Sequence, residues 1–508
     1  MKTLAGLGIL VLAISAPCLA DDWNSGTGGK PSRHSLSTER GPIAAGILWQ
    51  GGIPAIIAQP AVIEGNIVAM SRIQDLSDVL HGTLIVAHDL HTGDTLWTRD
   101  LPVDFPATDW RNRVTAIRDG KVYATRSGNT NYSYLYALNA TNGTTLWRSQ
   151  DSIDESSTES VSFAQNGDLI VGNFTSLTRI NGTDGTRTWR TSRSSPTSGG
   201  SEVAVSGNMG YAWEASPQGP RISAFNLSTG ARLYSSPGIG GGFIQQVGPF
   251  VGPDGTVYAP RTQNNVTTDY LVAFSDIDTA LVEKWRVPLG YVPFGSFGVG
   301  PEGSVYSYTV GREVIRIDSE NGSIIDTSTS ITTDFFQPRI AIDSTGIIYL
   351  TNGGFSEGAL YSFNPDLSLR WTEQIASVNI GGPAIGDDGI MVVCGIGTNV
   401  RAYRSPPTGV DEGKFNRETL ALSGELLQNY PNPFNPSTTI TYKIARVGLV
   451  SLSVYNILGQ EVATLFNEEM GPGTYTVVFS GNELASGTYF CRLWTSGYES
   501  TKRLVLLK

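Results

Sequence analysis

A strand-turn-strand segment that closes on an aromatic residue recurs along this chain at near-constant spacing. It reads LIVAHDLHTGDTLW (84–97), YLYALNATNGTTLW (134–147), LTRINGTDGTRTW (177–189), RISAFNLSTGARLY (221–234) and LVAFSDIDTALVEKW (271–285). A weaker copy is VIRIDSENGSIID (314–326), a clearer one LYSFNPDLSLRW (360–371), and AAGILWQ (44–50) carries the closing strand alone. Seven intervals separate Trp49 from Trp371, a mean period of about 46 residues. A fixed period of this kind builds a repeat architecture, in which each unit buries its apolar face against its neighbours.

A second pattern runs in phase with the first. VTAIRDGKVYA (114–124), VSFAQNGDLIV (161–171), PFVGPDGTVYA (249–259), FGVGPEGSVYS (297–307), RIAIDSTGIIYL (339–350) and PAIGDDGIMVV (383–393) each alternate around a turn that contains Gly. PAVIEGNIVAM (60–70) and VAVSGNMGYAW (203–213) complete a set of eight hairpins. Tight hairpin turns demand positive φ, which Gly tolerates freely and Asn or Asp better than most residues. Four short strands per unit at this period predict an all-β fold, an eight-bladed β-propeller with seven blades as the alternative. The last unit, 381–404, lacks a closing strand, and residues 44–49 offer one without a hairpin. Pairing them closes the ring and removes its free edges.

The consensus Y-A-L-N-A-x-N-G-x-x-L-W resembles the pyrroloquinoline-quinone-like repeat propellers. That family includes quinone-dependent alcohol dehydrogenases and a non-catalytic propeller of the outer-membrane assembly machinery. The resemblance implies, for the dehydrogenases, a quinone and a calcium ion in the central funnel, an Asp base, a stacking Trp and a disulfide between adjacent cysteines. This propeller holds one cysteine, Cys394, its units are compact, and no position matches the Asp base. The expectation is therefore no cofactor, neither pyrroloquinoline quinone nor calcium, and no catalytic residue is assigned.

The C-terminal run LLQNYPNPFNPSTTITYKI (426–444), VYNILGQEV (454–462), GTYTVVFSG (473–481), LASGTYFCRLW (484–494) and KRLVLLK (502–508) resembles the type A sorting domain of the type IX secretion system. That system belongs to Bacteroidota and related Gram-negative bacteria. The positions that match its motifs are Tyr430, Pro431, Asn432, Pro433, Gly459, Gly473, Tyr475, Gly487, Tyr489 and Lys502. Alternation in VSLSVYNI (450–457) and TYTVVF (474–479) fits a small immunoglobulin-like β-sandwich. The resemblance implies handling by the outer-membrane secretion machinery and a destination at the cell surface or outside the cell.

The N-terminus agrees with export. Lys2 precedes an apolar stretch from Leu4 to Ile14, and small residues follow, so a signal peptide cut between Ala20 and Asp21 is expected. The chain then divides into a signal (1–20), an N-terminal arm (21–43), a propeller (44–404), a linker (405–425) and the sorting domain (426–508). No later stretch has the apolar length of a transmembrane helix. The net charge of −11 disfavours nucleic acid as a partner. Cys394 and Cys491 fall in different domains and read as small buried hydrophobes.

Side chains for binding are sought in the connections between units. PVDFPATDWRNR (102–113) offers Asp109, Trp110 and Arg111, and DFFQPR (334–339) offers Phe335, Phe336 and Arg339. These six are the candidate ligand face, for a surface protein or a polysaccharide. His81, His88 and His91 cluster in sequence, but spacing of three on a strand does not converge on a metal. GFSEG (354–358) lies between two strands, where the strand-to-helix elbow of a serine nucleophile has no place. The resulting expectation is an exported binding or scaffolding module, with an extracellular carbohydrate-active or quinone-dependent enzyme as the alternative.

Overall fold

The computed structural model describes residues 23, 35–51, 61–75, 77–78, 80–104, 111–127, 133–153, 161–194, 202–239, 247–264, 268–290, 296–331, 338–354, 358–375, 382–394, 400–405, 425–426, 429, 431–444, 448–456, 460–470, 473–482, 484–495 and 498–507. Two compact units divide the chain at Pro406 and Pro407. The expected signal peptide, with its cut between Ala20 and Asp21, lies outside the described residues.

Unit one contains eight four-stranded antiparallel sheets among its described residues. Numbered along the chain, they span 62–99, 111–148, 161–192, 204–235, 250–288, 298–327, 339–375 and, for sheet 8, 383–403 together with Ile47–Gln50. First strands touch from sheet 1 to 5 and from 6 through 8 back to 1, and sheets 5 and 6 share one apolar core. The sheets thus follow one another around a closed ring. Its closure is the pairing read from the sequence: Ile47 lies opposite Tyr403, and Gln50 opposite Arg401.

The repeat is explained by what its turn and its aromatic residue do to adjacent sheets. At the start of the outer turn in sheets 1 to 6 an Asn or Asp side chain accepts backbone N–H groups, as Asn139 does from Thr141 and Asn226 from Ser228 and Thr229. The closing indole of the preceding sheet then donates into that turn. Trp49 reaches Leu90 O, Trp97 Ala140 O, Trp189 Leu227 O and Trp285 Ser319 O, all at 2.7–2.9 Å. The turn glycine lies beneath the ring, so that a Cβ on Gly143 would stand 2.6 Å from Trp97 Cε3. Gly143 also has φ of 70°. Conformation and contact both require glycine there.

Between the third and fourth strands the register slips at the same place in sheets 1 to 7, for example between Ala87 and His88 and between Ala137 and Leu138. The extra residue of each bulge immediately precedes the closing position. This is why apolar pairs such as Leu96-Trp97 break alternation: the tryptophan is buried and the leucine is 43% exposed.

The N-terminal arm is tied to the ring where it is described. Ser35 and Ser37 exchange backbone hydrogen bonds with Ile342, and Tyr349 donates to Pro42 O at 2.9 Å. Trp23 is buried, and its carbonyl accepts from Ile63 N.

Unit two has a three-stranded sheet and a four-stranded sheet around one core containing Phe434, Leu452, Cys491 and Leu504. Its two ends are bound to each other. Asn432 accepts from Val505 N at 2.8 Å and donates to Arg503 O at 3.0 Å, while Phe434 and Leu507 pair through their backbones. Pro433 and Pro436 follow cis peptide bonds. Tyr475, Gly487, Tyr489 and Lys502 lie in strands, as does Gly473; Tyr430 and Gly459 lie outside the described residues. Cys394 and Cys491 are buried free thiols.

Candidate functional site

Of the six ligand-face candidates, Asp109, Trp110, Phe335 and Phe336 lie outside the described residues. Arg111 opens the first strand of sheet 2, Arg111–Arg118, and is exposed. Arg339 opens the first strand of sheet 7 and is buried. Ser356 of the GFSEG motif is likewise outside the described residues.

The polar cluster that is described at this end of the ring centres on Asp100, which the sequence reading passed over. Asp100 receives Arg126, Asn112 Nδ2 at 2.8 Å and His81 Nδ1 at 2.7 Å. Asn112 also bonds Thr83 and Leu101, so four segments of sheets 1 and 2 meet at these side chains. The signal was present as an Arg near the end of two second strands, in AMSRI and YATRS, and an Asp three residues after Trp97.

A comparable cluster lies between sheets 3 and 4. Glu214, fully buried, accepts from Ser194 N, Ser223 Oγ and Arg232. Burial opposes its charge, but the hydrogen bonds from Arg232, Ser223 and Ser194 outweigh that cost and hold the carboxyl below its ordinary range. Arg193 donates to Asn173 O and Trp213 O, and burial pulls its guanidinium down to about 10. Both clusters spend their charges on joining neighbouring sheets.

The three clustered histidines separate. His81 is exposed beside Asp100; His91 meets Asn66 and Asp388 across the seam of sheets 1 and 8. His88 is buried, donates from Nδ1 to Gly93 O, and is pushed down to about 4 by burial and then by Arg72. Among the described residues no three His, Cys, Asp or Glu side chains are grouped to hold a metal ion. A carboxylate-held imidazole such as His81 can move a proton. Among the described residues no serine, threonine or cysteine side chain is hydrogen-bonded to it.

Residues 81–328 match the family model described as outer membrane protein assembly factor BamB, and residues 428–507 match that of the secretion system C-terminal sorting domain. No curated protein matches the chain in sequence. Among solved structures, BamB from Moraxella catarrhalis aligns at 13% identity and TM-score 0.52, over 71% of this chain and 100% of that one. The C-terminal WD40 domain of Sif2 aligns at 11% identity and TM-score 0.52, over 72% and 99%. The computationally designed Ika8 protein aligns at 14% identity and TM-score 0.50, over 71% and 100%. At these identities the likeness is one of fold. Residues 81–328 thus belong to the pyrroloquinoline-quinone-like repeats of the BamB type, within an all-β propeller, and residues 428–507 are a type IX secretion C-terminal sorting domain.

Proposed function

We propose that this chain is an exported recognition protein: an eight-bladed propeller that binds a surface protein or polysaccharide without transforming it. A signal peptide, residues 1–20, starts export through the envelope of a Gram-negative cell. The C-terminal module, read as an immunoglobulin-like sandwich, engages the outer-membrane secretion machinery and sends the propeller to the cell surface or beyond. The match of residues 428–507 to a sorting domain supports the route. The eight sheets closed by Ile47–Gln50 support the blade count.

One observation carries the non-catalytic reading. Asp100, just after the fourth strand of sheet 1, and Glu214, at the end of the second strand of sheet 4, are each bound by three donor groups that tie sheets or strands together. A general acid or base needs a carboxylate left available to substrate. Recognition then falls to the connections between sheets and the strand starts that follow them, where Asp109, Trp110, Arg111, Phe335, Phe336 and Arg339 remain the proposed contacts, with no metal or quinone required. Calorimetric titration of the purified chain with cell-surface polysaccharides tests this. Saturable binding with the polymer unshortened is expected; release of oligosaccharides would replace this reading with a carbohydrate-active enzyme.

A further inference from the structure

Arg72 and Arg126 hold the same place in consecutive sheets, each the sixth residue of a second strand, Ile67–Ile73 and Lys121–Ser127. Each is 2% exposed. Their surroundings differ completely. Arg126 donates from Nε to Leu101 O at 2.6 Å, from one Nη to Leu80 O and from the other to Asp100 Oδ1. Arg72 Nε and Nη2 are buried and have no hydrogen-bond partner.

The cause is a substitution within the repeat. Asp100 stands three residues after the closing Trp97; three residues after the closing Trp49 the chain has Gly52. In sequence, the unit that precedes sheet 1 in the ring thus carries glycine where the unit that precedes sheet 2 carries a carboxylate. Gly52 itself lies outside the described residues, but its neighbour Gly51 is held by Val400 O at 2.7 Å, and a Cβ on Gly51 would lie 3.1 Å from Arg72 Nη2. Among the described residues the nearby titratable groups bring no negative charge. Cys394 is buried with its thiol pushed up to about 12, and His88 is neutral with Nδ1 donating to Gly93 O. A buried guanidinium left without any anion is far outside what folded proteins tolerate.

We propose that the seam between sheets 8 and 1 is a binding site for a small carboxylate, held by Arg72 in the place that Asp100 occupies beside Arg126. A carboxylate matches the planar guanidinium fork with two parallel N–H···O bonds. The near-complete burial of Arg72 selects a ligand small enough to be enclosed, rather than a side chain borne by another folded protein. Because sheet 8 is the one completed by Ile47–Gln50, occupancy fastens the ring at its closure.

The test is the thermal midpoint of the purified full chain titrated with acetate against sodium chloride at constant ionic strength. Acetate at 100 times its dissociation constant is expected to raise the midpoint saturably by about one to a few degrees. Arg72→Met, which removes the charge at similar volume, is expected to abolish the response. Gly52→Asp, which restores the carboxylate within the chain, is expected to raise the midpoint without acetate and to abolish the response as well. An acetate effect no larger than that of chloride in the wild-type chain, or one that survives in Arg72→Met, overturns the proposal. Should Gly52→Asp fold poorly, those two comparisons decide the matter.

Discussion

The indole of Trp97 fills the space that a Cβ on Gly143 would need, while its Nε1 donates to Ala140 O at 2.7 Å in the same turn. One contact therefore fixes two residues some 46 positions apart in the repeat, and it recurs from Trp49 to Gly93, Trp147 to Gly185, Trp189 to Gly230 and Trp285 to Gly322. Where the closing residue is not tryptophan, the glycine is lost too. Tyr234 faces a turn in which Asp278 has the positive φ, and the turn after sheet 6, which closes at Asp326, has Leu367.

This coupling predicts opposite outcomes for two substitutions at positive φ. Gly143→Ala is expected to destabilise by about 2–4 kcal/mol, from backbone strain and a clash with a buried ring. Asp278→Gly, with no indole above it, is expected to change stability by less than about 1 kcal/mol. Chemical denaturation of both variants checks the pair, and equal effects would contradict the coupling.

The turn that faces Tyr234 uses a different fastening. Asp276 accepts the hydroxyls of Tyr211 and Tyr234, both at 2.6 Å. Asp276→Ala leaves both without their acceptor and is expected to cost about 2–4 kcal/mol. Tyr234→Phe removes one of the two bonds, and its smaller loss in the same denaturation experiment is the control.

Acid should loosen sheet 1 through His88. Its folded pKa of about 4 lies below the ordinary value of 6.5, so the unfolded chain binds the extra proton. The stability attached to the neutral imidazole is complete above pH 6.5 and is lost as pH falls towards 4, in total about 3 kcal/mol. Burial and then Arg72 disfavour the proton, while the backbone at Gly93 and Asp94 favours it. His88→Gln is expected to flatten the dependence of the denaturation midpoint on pH between those limits.

Much of the ring was legible because the repeat is written in local chemistry. Turns that contain Gly, alternation and a closing aromatic locate all eight hairpins, and the orphan strand at 44–49 finds its partner at 401–403. What the repeat does not announce is that Trp49, Trp97, Trp189 and Trp285 each make a hydrogen bond to the next unit and require a glycine there. The polar site was harder to read. Asp100, Asn112 and Arg126 look unremarkable singly and acquire meaning only when sheets 1 and 2 bring them together. The histidines are neighbours in sequence alone, and in the fold they diverge to the rim, the interior and the closing seam.

In the sorting module, Asn432 ties the entry segment to the last strand through Val505 N and Arg503 O. Asn432→Ala is expected to cost about 1–3 kcal/mol and to free the C-terminal strand for proteolysis. Limited proteolysis of the full chain, followed by mass spectrometry of the released ends, reads this directly.

The claim that the C-terminal module exports the propeller is tested most directly by protease accessibility in cells that have a type IX system. The account predicts that the full chain is cleaved by protease added to intact cells or is recovered from the medium, whereas a chain ending before residue 428 is protected until the outer membrane is opened. Equal accessibility of the two chains would contradict it.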